Sequence, residues 1–418
     1  MSKFANIHRR LALLSLCAAY AACGSESTAA DAVEVPSTAQ PAPEDQALPD
    51  AIAEPTPAVS EAPELASKGW SIFRGDTGLT GRSSETLPTD PSLLWTFETG
   101  GAITSSPTIA DGRVYIGSDD AMLHCLDIAS GEEIWASETQ DMIEAPPLVL
   151  DGRVFIGSSD YFFYAFDAIT GEELWKYETD DKILGGANYI QGDDGTVIVV
   201  GSYDTKLYGF DPASGDKLWE YATDNYINGT PAISEGLAVF GGCDAVLHQV
   251  DTRTGEQYKS VPLCPDCHIA GSVAIADGYV YFGHYGNQFV CIEMATGNVR
   301  WSYGSGRQAF FSSPAIGDER VIFGGRDRHL HCVDKVTGEA QWSFATRRKV
   351  DGSPVLCGDR VVFGSGDGRL YILDATTGEE TWSYEIGQSL ISSPAVFEKR
   401  IYIGGLDGSL YVFGESGS

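Results

Sequence analysis

From Leu94 onward the chain repeats one short unit, marked by an aromatic residue that opens an alternating segment: LWTFET, IWASET, LWKYET, LWEYAT, QYKSVP, RWSYGS, QWSFAT and TWSYEI. The aromatics are Trp95, Trp135, Trp175, Trp219, Tyr258, Trp301, Trp342 and Trp382, seven intervals with a mean period of 41 residues. A fixed period near 40 residues with internal alternation is the pattern of a β-propeller, in which each copy is one four-stranded blade packed on its neighbours.

Each copy keeps the same order: an inner strand such as SSPTI, a turn, a strand such as VYIGS, a second turn, a strand such as LHCLD, and an S/T-G turn into the next aromatic strand. The turns carry Gly, Asp or Asn, which tolerate positive φ, and no helix-length apolar period competes. The expected fold is all-β, an eight-bladed propeller of four-stranded antiparallel blades. The chain enters the repeat on an aromatic strand and ends after the triplet that finishes in SLYVFG. Pairing the N-terminal LLWTFE strand with the last C-terminal blade closes the ring and removes its free edge.

The N-terminus reads as an export signal. Lys3, Arg9 and Arg10 precede an apolar run from Leu11 to Ala22, too short for a membrane span. Ala21-Ala22-Cys23-Gly24 resembles a bacterial lipobox, which makes Cys23 the expected lipidation site and residues 1–22 a lipoprotein signal peptide. Residues 24–68 hold nine acidic residues against Lys68 and few large apolar ones, so 23–68 is expected to be a disordered acidic tether. The propeller then occupies 69–418. A formal net charge of −32 over 418 residues excludes generic nucleic-acid binding.

The repeat D-x-x-T-G-E-x-x-W, followed by S-S-P-A-V and D-G-x-L-Y, resembles the PQQ-like β-propeller repeat family, and most closely its BamB-like outer-membrane assembly lipoproteins. The opening G-W-S-I-F-R-G-D-T-G-L-T-G is similar to the lead-in of many bacterial members. The resemblance implies a non-catalytic, lipid-anchored scaffold, a monomeric propeller facing the periplasm from the outer membrane. It would bind an envelope protein, such as the barrel assembly machinery, and touch the membrane through its anchor alone. The enzymatic branch, the quinoprotein dehydrogenases, implies pyrroloquinoline quinone, calcium and a disulfide between adjacent cysteines. No Cys-Cys pair occurs in this chain, so neither an enzyme nor a quinone cofactor is expected. A PQQ- or metal-dependent oxidoreductase and a periplasmic ligand-sensing propeller are the alternatives.

Most polar repeats have structural explanations. Asp127, Asp167, Asp211, Asp251, Glu293, Asp334 and Asp374 precede the S/T-G turns, where a carboxylate accepts backbone N–H groups, so calcium is not expected there. His124, His248 and His331 alternate between copies with Tyr164, Tyr208, Tyr371 and Tyr411 and are expected to pack as aromatics. Cys125, Cys291 and Cys332 share one register with Ala165, Gly209 and Ile372 and read as small buried residues.

Two places break the repeat. From Tyr258 to Gly271 is thirteen residues, against ten or eleven elsewhere, and the extra length brings in L-C-P-D-C-H. The loop from outer to next inner strand shares a face with the turn between strands two and three. Cys264, Cys267 and His268 are therefore expected to face Cys243 and His284. A disulfide is the leading reading; a bound metal such as zinc, a c-type haem on Cys-x-x-Cys-His and free thiols are the alternatives. No added sequence is present to wrap a haem. The second break is charge: between Trp301 and Arg360 there are nine Lys/Arg against seven Asp/Glu. Arg307, Arg326, Arg328, Arg347, Arg348 and Lys349, with Tyr285, Phe310 and Phe311, form the expected partner-binding patch above blades five to seven.

Overall fold

In the computed structural model, residues 69–415 are described apart from Ser305 and Arg307. The expected signal peptide (1–22), the expected tether (23–68) and Cys23 lie outside the described residues. Those residues form strands, turns and bends, with no helix among them.

Eight four-stranded antiparallel blades make up the ring. Blade 1 is Thr108–Ala110, Arg113–Gly117, Met122–Asp127 and Glu133–Glu138, and blades 2 to 7 follow the same order. Blade 8 is Ala395–Phe397, Arg400–Gly404 and Ser409–Gly414, with Ser92–Glu98 hydrogen-bonded antiparallel to Ser409–Gly414 as its fourth strand. The inner strand of blade 8 adjoins that of blade 1. The two central strands of each blade are almost wholly buried, whereas outer strands such as Glu173–Glu178 alternate between exposed and half-buried residues. Core clusters accordingly lie between neighbouring blades: Leu148, Phe155 and Phe163 of blade 2 pack with Ile198 and Phe210 of blade 3.

Outer-strand tryptophans and turn glycines lock adjacent blades. At Gly338 the backbone has φ +73°, and a Cβ would lie 2.6 Å from the ring of Trp301 in the preceding blade. The indole N–H groups of Trp175, Trp219, Trp301 and Trp342 donate to carbonyls of Pro212, Thr252, Lys335 and Ala375 in the following blade. Blade 4 departs from the expectation. Its outer strand pairs Lys259, not Tyr258, with Gln249, at the register where Trp301 faces Cys291 in blade 5. Side chains alternate along a strand, so this one-residue offset turns Tyr258 outward, and it is 63% exposed.

A second lock runs around the inner strands. Gly186 N–H donates to Thr230 Oγ1, Thr230 to Ser272, Ser272 to Ser313, Ser313 to Ser353, Ser353 to Ser393 and Ser393 to Ser106, at 2.9 to 3.1 Å. Pro146 in blade 2 has neither the hydroxyl nor the N–H, and interrupts the relay.

Inside the ring, the lead-in covers the free edges of the inner strands. Gly69–Trp70 pairs antiparallel with blade 1, and Arg82–Ser83 pairs parallel with blade 7. Between them, carbonyls of Ser71, Thr77, Gly78, Thr80 and Gly81 accept N–H groups of Val149, Ile233, Ile275, Ile316 and Leu356 at 2.7 to 2.9 Å. Asn188 Nδ2 adds a bond from blade 3 to Thr77 O. Trp70, Ile72, Leu79 and Arg74 are buried there, and Arg74 Nη2 donates to Pro314 O at 2.8 Å.

Candidate functional site

The loops between blades and the turns between second and third strands do share a face. In every blade a turn N–H bonds to the preceding loop: Asp119 to Ala102 O, Ser159 to Met142 O, Tyr203 to Lys182 O, Cys243 to Tyr226 O, Tyr285 to His268 O, Arg326 to Ala309 O, Gly366 to Lys349 O and Leu406 to Ser389 O. The two loop classes thus form one continuous rim.

One polar device recurs on that rim. The turn aspartate of seven blades bonds the ring four residues later: Asp120 to His124, Asp160 to Tyr164, Asp204 to Tyr208, Asp244 to His248, Asp327 to His331, Asp367 to Tyr371 and Asp407 to Tyr411, at 2.5 to 3.3 Å. The histidines are therefore packed aromatics, as expected, and also hydrogen-bonded staples. The D-x-x-x-H/Y spacing was present in the sequence as the signal for this. Below, on the opposite face, Asp127, Asp167, Asp211, Asp251, Asp334 and Asp374 each accept two backbone N–H groups across the S/T-G turn. For Asp127, Asp167, Asp211, Asp334 and Asp374 these bonds hold the carboxyl below its ordinary pKa.

Blade 5 abandons the rim device. Gly286 stands where the other blades carry aspartate, Val290 where they carry His or Tyr, and His284 where they carry Ser or Gly. Cys264 and Cys267 reach this blade from the enlarged loop. They form a disulfide with a Cα–Cα distance of 5.0 Å, and Cys267 N–H donates to Cys264 O at 2.9 Å. Their sulfurs and a ring nitrogen of His284 lie within 4.8 Å of one another. Cys267 and His284 are buried and Cys264 is exposed. Burial holds the His284 imidazole down to a pKa of about 4.

The expected five-residue convergence narrows to these three. Cys243 is outside the cluster, receives Asn228 Nδ2 at 3.1 Å and is not a free thiol. The one-residue offset between the two turns explains this, because Cys243 occupies in blade 4 the position that Tyr285 holds in blade 5. His268 is also outside; its carbonyl accepts Tyr285 N–H at 3.0 Å and its ring stands edge-on to Tyr285. Among the described residues the free cysteines Cys125, Cys291, Cys332 and Cys357 are all buried.

The basic patch is reorganised too. Arg326 lies over Phe311, with its guanidinium carbon 3.7 Å from the ring centroid, and forks onto Asp351 at 3.1 and 3.2 Å. Lys349 Nζ meets the same carboxylate at 2.5 Å. Phe310 and Phe311 are 0% and 6% exposed, so they support the patch from beneath and do not present themselves to a partner. Phe310 is clamped by Phe289, Tyr303, Phe323 and His331. Tyr285 is half-buried 4.5 Å from Phe311. Arg328, Arg347 and Arg348 are exposed, and Arg347 N–H donates to Asp367 at 2.9 Å. Arg307 lies outside the described residues.

Models of the family described as outer membrane protein assembly factor BamB match residues 86–242, 182–258 and 243–416. The chain belongs to this family. Among solved structures, BamB from Moraxella catarrhalis is 22% identical, with a TM-score of 0.67 over 78% of this chain and 100% of that one. A quinohemoprotein alcohol dehydrogenase from Comamonas testosteroni is 14% identical, with a TM-score of 0.73 over 84% and 81%. A europium-containing methanol dehydrogenase is 15% identical, with a TM-score of 0.68 over 84% and 99%. At these identities the likenesses establish the PQQ-like propeller fold alone. No curated protein matches the chain.

Proposed function

We propose that the protein is a non-catalytic propeller scaffold of the cell envelope that binds a protein partner through its rim above blades 6 and 7. Family membership supports an assembly role, with the outer-membrane barrel assembly machinery as the partner class. The observation that carries the choice of surface is the division of labour among the basic residues. Arg326 and Lys349 are both ion-paired to the one carboxylate of Asp351, while Arg347 and Arg348 are presented to solvent on a loop held by the Arg347–Asp367 bond. Exposed arginines on a rigid, aromatic-backed rim suit recognition of an acidic protein surface.

A lipid on Cys23, residues 23–68 as tether, and the periplasmic side of the outer membrane complete this reading. A quinone-dependent oxidation receives no support from the residues. The cysteines include no adjacent pair, and the inner strand edges are covered by the lead-in with Trp70 and Leu79 buried.

The test is capture of partners from detergent-solubilised envelope with the full chain and with Arg347→Glu plus Arg348→Glu. Both side chains are exposed, so the melting temperature of the double variant should match the wild type. A specific partner recovered by the wild type should be lost or reduced about tenfold or more in the variant, as expected for reversing two interfacial charges. Equal recovery by both would overturn the assignment of this surface.

A further inference from the structure

We propose that Cys264, Cys267 and His284 form a redox-gated binding site for a thiophilic d10 cation, Zn2+ or Cu+, closed in the disulfide form and opened by reduction. Nothing in the scaffold role requires it, and the two are independent.

Three observations converge. First, the ligand set is chemically apt: two thiolates and one imidazole suit Zn2+ and Cu+. Second, the atoms are already gathered. In a tetrahedral centre with these ligands, sulfur and nitrogen atoms stand roughly 3.5–3.8 Å apart; here they lie within 4.8 Å, so once reduction lets the bonded sulfurs part, the imidazole needs to close by no more than about an ångström. Third, blade 5 has lost the features that would obstruct it. A Cβ on Gly286 would lie 2.8 Å from His284 Nδ1 and 2.9 Å from Cys267 Sγ; the aspartate found there in the other blades would fill the space between the two ligands. Val290 leaves no ring that requires such an aspartate.

His284 is buried beside the disulfide, and its Nδ1 accepts Gly286 N–H at 3.0 Å. A metal held by Nδ1 takes the lone pair that this hydrogen bond now uses, so binding exchanges one for the other, whereas ligation through Nε2 leaves the bond in place. Cys264, exposed, gives a reductant and then the metal their route in. A dithiol reductant attacks the Cys264–Cys267 bond, takes up the oxidising equivalents as its own disulfide and leaves two thiols. Binding of M2+ to the two thiols and the neutral imidazole releases two protons; Cu+ binding to two thiolates does the same. The fourth position stays open to solvent on the Cys264 side. Tyr285 and His268 connect the cluster to Phe311 and Arg326, so the metal state is positioned to alter the same rim that carries the basic patch.

The test uses the full chain, reduced anaerobically with dithiothreitol, desalted and titrated separately with Zn2+ and with Cu+ against a chromophoric chelator. About one equivalent of at least one ion should be retained by the reduced protein and none by the oxidised protein. Co2+ in place of Zn2+ should give thiolate-to-metal charge-transfer absorption. Cys264→Ser and His284→Ala should each weaken binding by more than the roughly 10–100-fold that loss of an outer-shell partner costs, while Cys332→Ser should leave it unchanged. If a variant fails to fold, the reduced and oxidised wild-type proteins still decide the matter. Equal retention by the two forms, or binding unaffected by His284→Ala, would overturn the proposal.

Discussion

His124 shows how much one repeat position changes with its partners. Burial opposes its charge, but Asp120 and Glu133 on either ring nitrogen outweigh that, and its pKa is raised. Asp120 is lowered against the opposing effect of its own burial, through His124 and the Gly100 N–H. A histidine raised on folding contributes stability in full below about 6.5, its unfolded value, and loses it as pH rises through the folded value. Asp120 contributes above about 4 and loses it as pH falls. His124→Tyr, which copies the Tyr164–Asp160 and Tyr208–Asp204 pairs of the next blades, should remove this dependence. Wild type should gain melting temperature relative to the variant as pH drops from about 8 to about 5.5, the interval in which histidine titrates; parallel curves would refute the pairing. The packing role of these histidines was legible from their exchange with tyrosine. Their aspartate partners were equally present in the text of the repeat, but only the turn geometry brings residues four apart into bonding distance.

At the scale of the strand, register decides which aromatic matters. Trp342 faces Cys332 across the blade, lies against the Gly378 turn so closely that a Cβ on Gly378 would stand 2.6 Å from its ring, and donates to Ala375 O at 3.0 Å. Tyr258 opens the equivalent strand of blade 4 one residue out of phase and stands in solvent. Trp342→Ala should therefore cost about 3 kcal/mol in denaturant unfolding, whereas Tyr258→Ala should stay within about 0.5 kcal/mol. Equal effects would mean that the aromatic marker, not its register, holds the blades. The repeat made the strand itself legible. It did not reveal that Lys259 occupies the tryptophan site, because alternation in QYKSVP accommodates either phase until the partner strand is known. The same limit applies to Phe310 and Phe311, which sequence places near the basic patch and packing places under it.

Across the whole molecule, the ring presents inner strands whose free edges need partners, and the lead-in supplies them. Leu79, buried at 0% with φ +58°, sits between the Gly78 and Thr80 carbonyls that bond blades 5 and 6. Leu79→Ala should cost about 3 kcal/mol, measured by denaturant unfolding with an unchanged slope. A loss below about 0.5 kcal/mol, the level of an ordinary surface substitution, would show that the lead-in is dispensable to the ring. By itself the sequence determined the all-β class, the count of eight blades, the turn chemistry and the blade at which the pattern fails, because these depend on periodicity and on residues a few positions apart. The tertiary structure alone decided that residues 69–83 pass along the inner strands of distant blades, that Cys264, Cys267 and His284 gather without Cys243, and that Arg326 is spent on Asp351 while Arg347 is not. Those are meetings between residues far apart in the chain. They are set by how blades pack around a common axis, and local pattern does not encode which side chain arrives there first.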